Sequence, residues 1–185
     1  MNTLLLAGVT VGILCGAVVL MIRYVASPDV LLTMDRWLMG GLDIIGYGQL
    51  ASLLPFVLPG LVLLGAQMNA LNHLALGEEM AHGQGVDVGR VQRQSLLGGA
   101  LLTAAAVSLA GPIGFVGLLV PHIVRRLSGL DHRVVLWASF CGGAAFLAAC
   151  DTLARTLVAP TEVPVGIFTA LLGGPFFIGL LLRRG

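Results

Sequence analysis

The chain has 185 residues, of which 57% are apolar and 10% charged, with a net charge of +1 and a mean hydropathy of +0.98. A soluble domain carries about a quarter charged residues, so this balance describes an integral membrane protein and argues against a nucleic-acid partner. There is no lysine, which excludes a phosphate-binding P-loop and Schiff-base chemistry within the chain. If ATP is used, another polypeptide binds it.

The charges cluster and leave uncharged stretches at residues 3–22, 44–77, 94–121, 134–150 and 163–182. Each is near the roughly 20 residues a membrane-spanning helix needs. Backbone groups in lipid must be paired internally, and these runs are too continuous for the alternation of a barrel strand, so the expected fold class is all-α, a polytopic transmembrane helix bundle. Cys15, Cys141 and Cys150 lie inside apolar runs without Cys-x-x-Cys spacing and read as small packing residues.

The first stretch lacks the positive n-region and small-residue cleavage site of a signal peptide and is expected to remain as a span. Gly8, Gly12 and Gly16 recur every four residues in it and clear one helix face for close packing. Residues 23–47 form a mixed linker in which 31–39 can make a short surface or re-entrant helix before Gly40-Gly41 stops it, with Trp37 and Tyr47 as interfacial anchors. The second span, about 47–67, carries Pro55 and Pro59, which predicts a kink.

The long polar island follows, MNALNHLALGEEMAHGQGVDVGRVQRQ at 68–94. Helical spacing covers 69–81, Gly83 and Gly85 break it, and Asp87 can cap a second helix leading into the next span. Leu71, Leu74 and Leu76 recur on a face that solvent does not reward. They either dock a soluble partner or lie among lipid headgroups.

Residues 94–124 as one helix would measure about 45 Å against a hydrocarbon core of about 30 Å, so a break is expected at Gly111-Pro112, between spans at 95–110 and about 113–124. With six crossings, seven arginines share the island's side of the membrane and three lie opposite. With five crossings the same division puts the island outside. Charge leaves both orientations open. The span from 134 to about 153 ends in Asp151 and Arg155, four apart and suited to a local ion pair. The last span follows a Pro160/Pro164 turn, and Gly173-Gly174-Pro175 predicts a break near its middle, a hint of a pathway.

Two segments, GPIGFVGLLVPHIVRRLSGLDHR at 111–133 and ACDTLARTLVAPTEVPVGIFTALLGGPFFIGLLLRR at 149–184, resemble the FecCD family, the membrane permeases of type II ABC importers of the vitamin B12 and iron-siderophore kind. Pro121-His122, Asp131-His132-Arg133, Asp151 with Arg155, Glu162 before Pro164-Val165-Gly166, and Gly173 before Pro175 fall in family order. LNHLALGEEMA at 71–81 resembles the family's cytoplasmic coupling segment, and NTLLLAGVTVGILCGA at 2–17 the start of its fifth span.

The resemblance implies an importer permease that homodimerises in the bilayer. Two copies of an ATP-binding subunit would sit below it, and a periplasmic or lipoprotein substrate-binding protein above. It selects the six-crossing order and a single permease domain over 1–185, with 68–94 as a cytoplasmic coupling segment. Leu76, Gly77, Glu78, Glu79 and Ala81 match the coupling helices, and Arg155 the arginine that meets the binding protein. Asn2 and Thr3 would lie near the inner mouth of the pathway, and Met34, Trp37, Gly40 and Gly41 near its outer mouth. Neither an enzymatic activity nor a resident cofactor or metal is implied.

Three departures stand out. Family members carry about ten spans and this chain begins at the fifth, so a truncated half-permease without transport is the alternative. Gln84 replaces a usual leucine, and Trp137 a frequent proline. The remote alternative, a membrane metal protein or enzyme, has one Glu-x-x-His step at Glu79 and His82 with His73 nearby, whereas bundle di-metal sites need two such steps.

Overall fold

The computed structural model describes residues 2–42, 46–129, 131–157 and 163–182. They form eight helices: α1 Asn2–Val25, α2 Pro28–Met39, α3 Tyr47–Leu74, α4 Glu78–Gly83, α5 Val88–Ala110, α6 Val116–Ser128, α7 His132–Leu157 and α8 Val165–Leu182. By Cα proximity the chain divides into two compact units, residues 1–38 and 39–185.

In the first unit α1 is apolar all round, with Leu5, Ile13, Leu20 and Met21 each more than 60% exposed. Gly8, Gly12 and Gly16 meet no atom within 4 Å where a Cβ would stand, so their cleared face has no partner among the described residues. The short helix after it, α2, ends at Met39, as Gly40-Gly41 requires. Arg23 of α1 forms an ion pair with Asp35 of α2, and α1 and α2 together line a groove of about 520 Å³.

The second unit is built on α3 and α5, joined by the α4 knuckle. They touch at Gly60 and Gly98: a Cβ on Gly60 would stand 2.8 Å from Leu102 Cγ, and one on Gly98 3.0 Å from Leu64 Cγ. Absent side chains let the backbones close, as small residues do between membrane helices. Gln67 Nε2 donates to Gln94 Oε1 at 2.6 Å between the same helices. The continuous α3 runs through both Pro55 and Pro59 and reaches Leu74, further than the expected end near residue 67. The polar island therefore begins as the last turns of α3, and Gly77, at φ 123°, makes the turn that separates it from α4. That conformation is open to glycine and strained for other residues.

The expected break after α5 is present. Gly111 takes φ 70° and closes α5, and Phe115, also at positive φ, opens α6. The final helix departs from expectation: α8 continues through Gly173, Gly174 and Pro175 without a break. Pro175 removes one backbone donor, while Gly173 serves packing. A Cβ there would stand 2.2 Å from Phe115 Cβ, so the glycine seats the first residue of the α6 turn.

Two ends of this unit are fixed by hydrogen bonds. At one, Gly41 N–H donates to Ala110 O at 2.9 Å and Gly166 N–H to Gly40 O at 3.1 Å, gathering the C-terminus of α5 and the N-terminus of α8. At the other, Asn72 near the end of α3 bonds Asp131 and His132 at the α6–α7 turn. The knuckle, the start of α5 and the α6–α7 turn thus share one end, and α5 and α6 run in opposite senses, as the six-crossing order requires.

Three helices, α1, α3 and α7, are long and apolar enough to cross a bilayer by length and composition, and α8 supplies a shorter apolar stretch. Polar Arg90, Gln92, Arg93 and Gln94 occupy the start of α5, and the 13 residues of α6 reach about 20 Å.

Candidate functional site

The knuckle between α3 and α5 is the most defined polar feature. The last turn of α3 passes into it through Ala75 N–H to Leu71 O, Leu76 N–H to His73 O and Gly77 N–H to Leu74 O, at 3.0 to 3.1 Å. Glu78 and Glu79 stand in the first turn of α4, where acidic side chains suit the positive end of a helix. Gln92 of α5 donates to Glu78 Oε1 at 3.4 Å, and Val86 N–H returns to Ala81 O at 3.0 Å. Asp87 caps α5, its Oδ1 accepting from Arg90 N–H at 3.0 Å, as the sequence predicts. Two helix ends and their turn are thereby held as one body.

The candidate coupling residues occupy different positions on it. Leu76 is 63% exposed, and Gly77, Glu78 and Glu79 are exposed beside it. Ala81 is fully buried and holds α4 against its neighbours, so any contact with a partner falls to the others. Leu71 and Leu74 are half-buried. Instead of joining Leu76 on an outward face, Leu71 lines a cavity with His132 and Val135 of α7. Met80 of α4 is 54% exposed, an apolar side chain that was not singled out from sequence. Its signal was its spacing four residues beyond Leu76, passed over because Gly77 interrupts the helix between them.

Asn72 was not singled out from sequence at all. Its partners lie about sixty positions away. Its Oδ1 accepts from His132 N–H at 2.8 Å and faces His132 Nδ1 at 2.7 Å, while its Nδ2 donates to Asp131 Oδ1 at 2.9 Å. The same carboxylate oxygen accepts from Arg133 N–H at 3.0 Å. The Asn72 amide, then the Arg133 N–H, hold the Asp131 carboxyl below its usual range.

The pathway candidates divide between the two units. Met34 and Trp37 line the groove of the first unit together. Asn2 and Thr3 begin α1, and their side chains lie outside the described residues. In the second unit Gly40 is buried and bonded through its carbonyl, and Gly41 through its N–H, so both act as backbone joints. Near the end of α7, Arg155 Nε donates to Asp151 Oδ2 at 2.9 Å, the pairing expected from their spacing. Glu162, Arg183 and Arg184 lie outside the described residues. Among the described residues no three His, Cys, Asp or Glu side chains gather, so Glu79, His82 and His73 do not converge.

Against known proteins, the chain is 45% identical over 181 residues to the hemin transport system permease protein HmuU of Yersinia pestis, covering 98% of this chain and 54% of that protein. It is 48% identical over 182 residues to the cobalamin import system permease protein BtuC of Halobacterium salinarum, covering 98% of this chain and 48% of that one. These relatives are transport permeases. The chain spans about half the length of the curated relatives it matches. A solved structure described as an inward-facing conformation of a metal-chelate type ABC transporter superposes over 100% of this chain and 60% of its own, with a TM-score of 0.84 and 33% identity. The model of the FecCD transport family matches residues 1–183, and this membrane protein belongs to that family.

Proposed function

We propose that the chain is permease machinery of an ATP-driven importer for an iron-siderophore, cobalamin or haem. The hydrogen-bonded α4 knuckle would hand the motion of a partner ATPase to the helices. The observation that carries this reading is the knuckle itself: an exposed Leu76, Glu78, Glu79 and Met80 mounted on a body tied to both α3 and α5. A side-chain patch of this kind suits the groove of a soluble subunit, and its rigid mount delivers a displacement without absorbing it.

In this reading two such permeases pair in the plasma membrane of a bacterium or archaeon, with residues 68–94 in the cytoplasm. Two ATP-binding subunits dock there, and a substrate-binding protein docks outside, meeting Arg155. The chain does no bond chemistry. ATP binding draws the ATPase subunits together, the knuckles tilt, and packed helices with two arrangements open one mouth as they close the other. Asn2, Thr3, Met34, Trp37, Gly40 and Gly41 are the proposed pathway positions. The relatives named for hemin and cobalamin transport support large metal chelates as the cargo class.

The test is co-purification in mild detergent with an ATP-binding subunit, followed by Glu78→Ala. The expected result is a bound ATPase whose hydrolysis responds to the permease in the native protein and loses that response in the variant. A chain that retains no ATPase, or a variant that behaves as the native protein does, would overturn the coupling role.

A further inference from the structure

We infer that Asn72 is a positioning residue, clasping the α6–α7 turn to the base of the knuckle so that displacement of α4 reaches α6 and α7 as well as α3 and α5. The inference rests on the coupling role proposed above and adds a second line of transmission to it.

The geometry of the clasp is specific. Asn69 and Asn72 stand three residues apart, one helical turn, on α3 and grip three consecutive residues of the facing turn. Asn72 takes Asp131 and His132, while Arg133 donates its guanidinium to Asn69 Oδ1. The orientation of the Asn72 amide is fixed by its partners. Its oxygen faces the His132 N–H, and its NH2 faces the Asp131 carboxylate. The reverse orientation would set donor against donor and oxygen against carboxylate. With a carbonyl oxygen 2.7 Å from His132 Nδ1, that nitrogen carries the ring hydrogen.

Placement makes the clasp more than one surface contact. Asn72 lies in the last turn of α3, two residues before its end at Leu74, and the hydrogen-bonded turn that follows leads directly into α4. Asp131 begins α7, its carbonyl accepting from Val135 N–H at 2.9 Å, and Gly129 closes α6 just before it. Beside the clasp a cavity of about 220 Å³, lined among others by Leu71, Arg125, His132, Val135 and Ser139, separates α3 from the α6–α7 pair. Across that gap the polar bonds hold the registration of the two helix ends. Because Asn69, Asp131 and Arg133 are exposed, the bonds contribute chiefly to relative position and little to global stability.

The test uses a reciprocal exchange. Asn72→Asp keeps the shape but sets one carboxylate against another and opens the clasp. Adding Asp131→Asn removes the facing charge and lets an amide NH2 donate across the clasp, while the Arg133 N–H bond, made to that same atom in the native chain, is given up. In the permease bound to its ATP-binding subunit, Asn72→Asp should leave the ATPase bound while its response to the permease falls by about fivefold or more. The double exchange should return part of that response, since it restores the bond across the clasp but not the one from Arg133 N–H. In the chain alone, Asn72→Asp should speed amide exchange at residues 131–135 and, through the turn, at 76–83, with the effect at 76–83 reversed by the double exchange.

An ATPase that is bound and responsive to the native chain and equally responsive to Asn72→Asp overturns this inference alone. So does a single variant that speeds exchange at 131–135 without changing 76–83, or a double exchange no more responsive than the single variant. A native chain that neither binds nor stimulates an ATPase removes the coupling role and this inference with it.

Discussion

At the scale of single residues, the tightest constraint is Gly166. A Cβ at that position would stand 2.1 Å from Met39 O, in the joint where Gly166 N–H also bonds Gly40 O. No side-chain rotation relieves a clash with a carbonyl, so the backbone must move. Gly166→Ala is expected to destabilise the chain by about 1–3 kcal/mol, read as a lowered Tm in detergent; an unchanged Tm would contradict the close approach. Arg155 poses a different case, since it is 43% exposed on its side chain and paired with Asp151. Arg155→Glu would set two carboxylates four residues apart, at a local cost of a few tenths of a kcal/mol. If Arg155 meets a substrate-binding protein as proposed, the larger expected effect is slower association of that protein, by about tenfold at low salt and less at high salt. Equal on-rates for native and variant chains would remove Arg155 from that interface. The Asp151–Arg155 pair and the Asp87 cap were legible in the sequence because helical spacing alone brings the groups together. Gly166 against Met39 was not, because the neighbours are far apart along the chain and only folding makes the approach.

At the scale of elements, most helices could be read from apolar runs and glycine or proline punctuation, including the break at Gly111-Pro112, while the end of α3 and the continuity of α8 could not. The sequence places the second span at 47–67 and a separate helix over 69–81, whereas α3 runs unbroken to Leu74 and the interruption falls at Gly77; Asn72 is paired and Leu71 half-buried in the continued helix. Pro175 predicts a break that the packing of Phe115 on Gly173 leaves unnecessary. The bond between α3 and α7 has a pH signature of its own. The Asp131 carboxyl titrates below its ordinary range because Asn72 and the Arg133 N–H bond its charged form. A depressed carboxylate contributes stability that is fully present above about pH 4 and is lost as pH falls through the folded value. Asn72→Ala should therefore move the Asp131 midpoint upward in a carboxyl NMR titration, and identical midpoints in the two proteins would show that the bond does not form.

At the scale of the whole molecule, orientation is what the proposed function most depends on. Arginine counts alone allowed the knuckle on either face, and the fold removes one alternative by turning the chain between α5 and α6. With that turn, the positive-inside tendency favours the proposed orientation, in which the knuckle faces the cytoplasm. In a chain whose Cys15, Cys141 and Cys150 are replaced, His82→Cys should resist an impermeant thiol reagent added outside intact cells and react once the membrane is opened. His82 is exposed on α4, so labelling from outside would reverse the orientation and end the ATPase role.

Amino-acid content settled the solvent and the class: a chain with 10% charged residues and no lysine belongs in lipid, must pair its backbone in helices, and carries no P-loop. Motif order along the chain was enough to point to the family. Tertiary structure decided which polar groups meet, which glycines are contacts, and that Ala81 faces inward while Met80 faces out. The reason is physical: hydropathy and helical period depend on residues a few positions apart and are written locally. A hydrogen bond from Asn72 to a turn sixty residues away exists only once α3 and the α6–α7 pair are brought side by side.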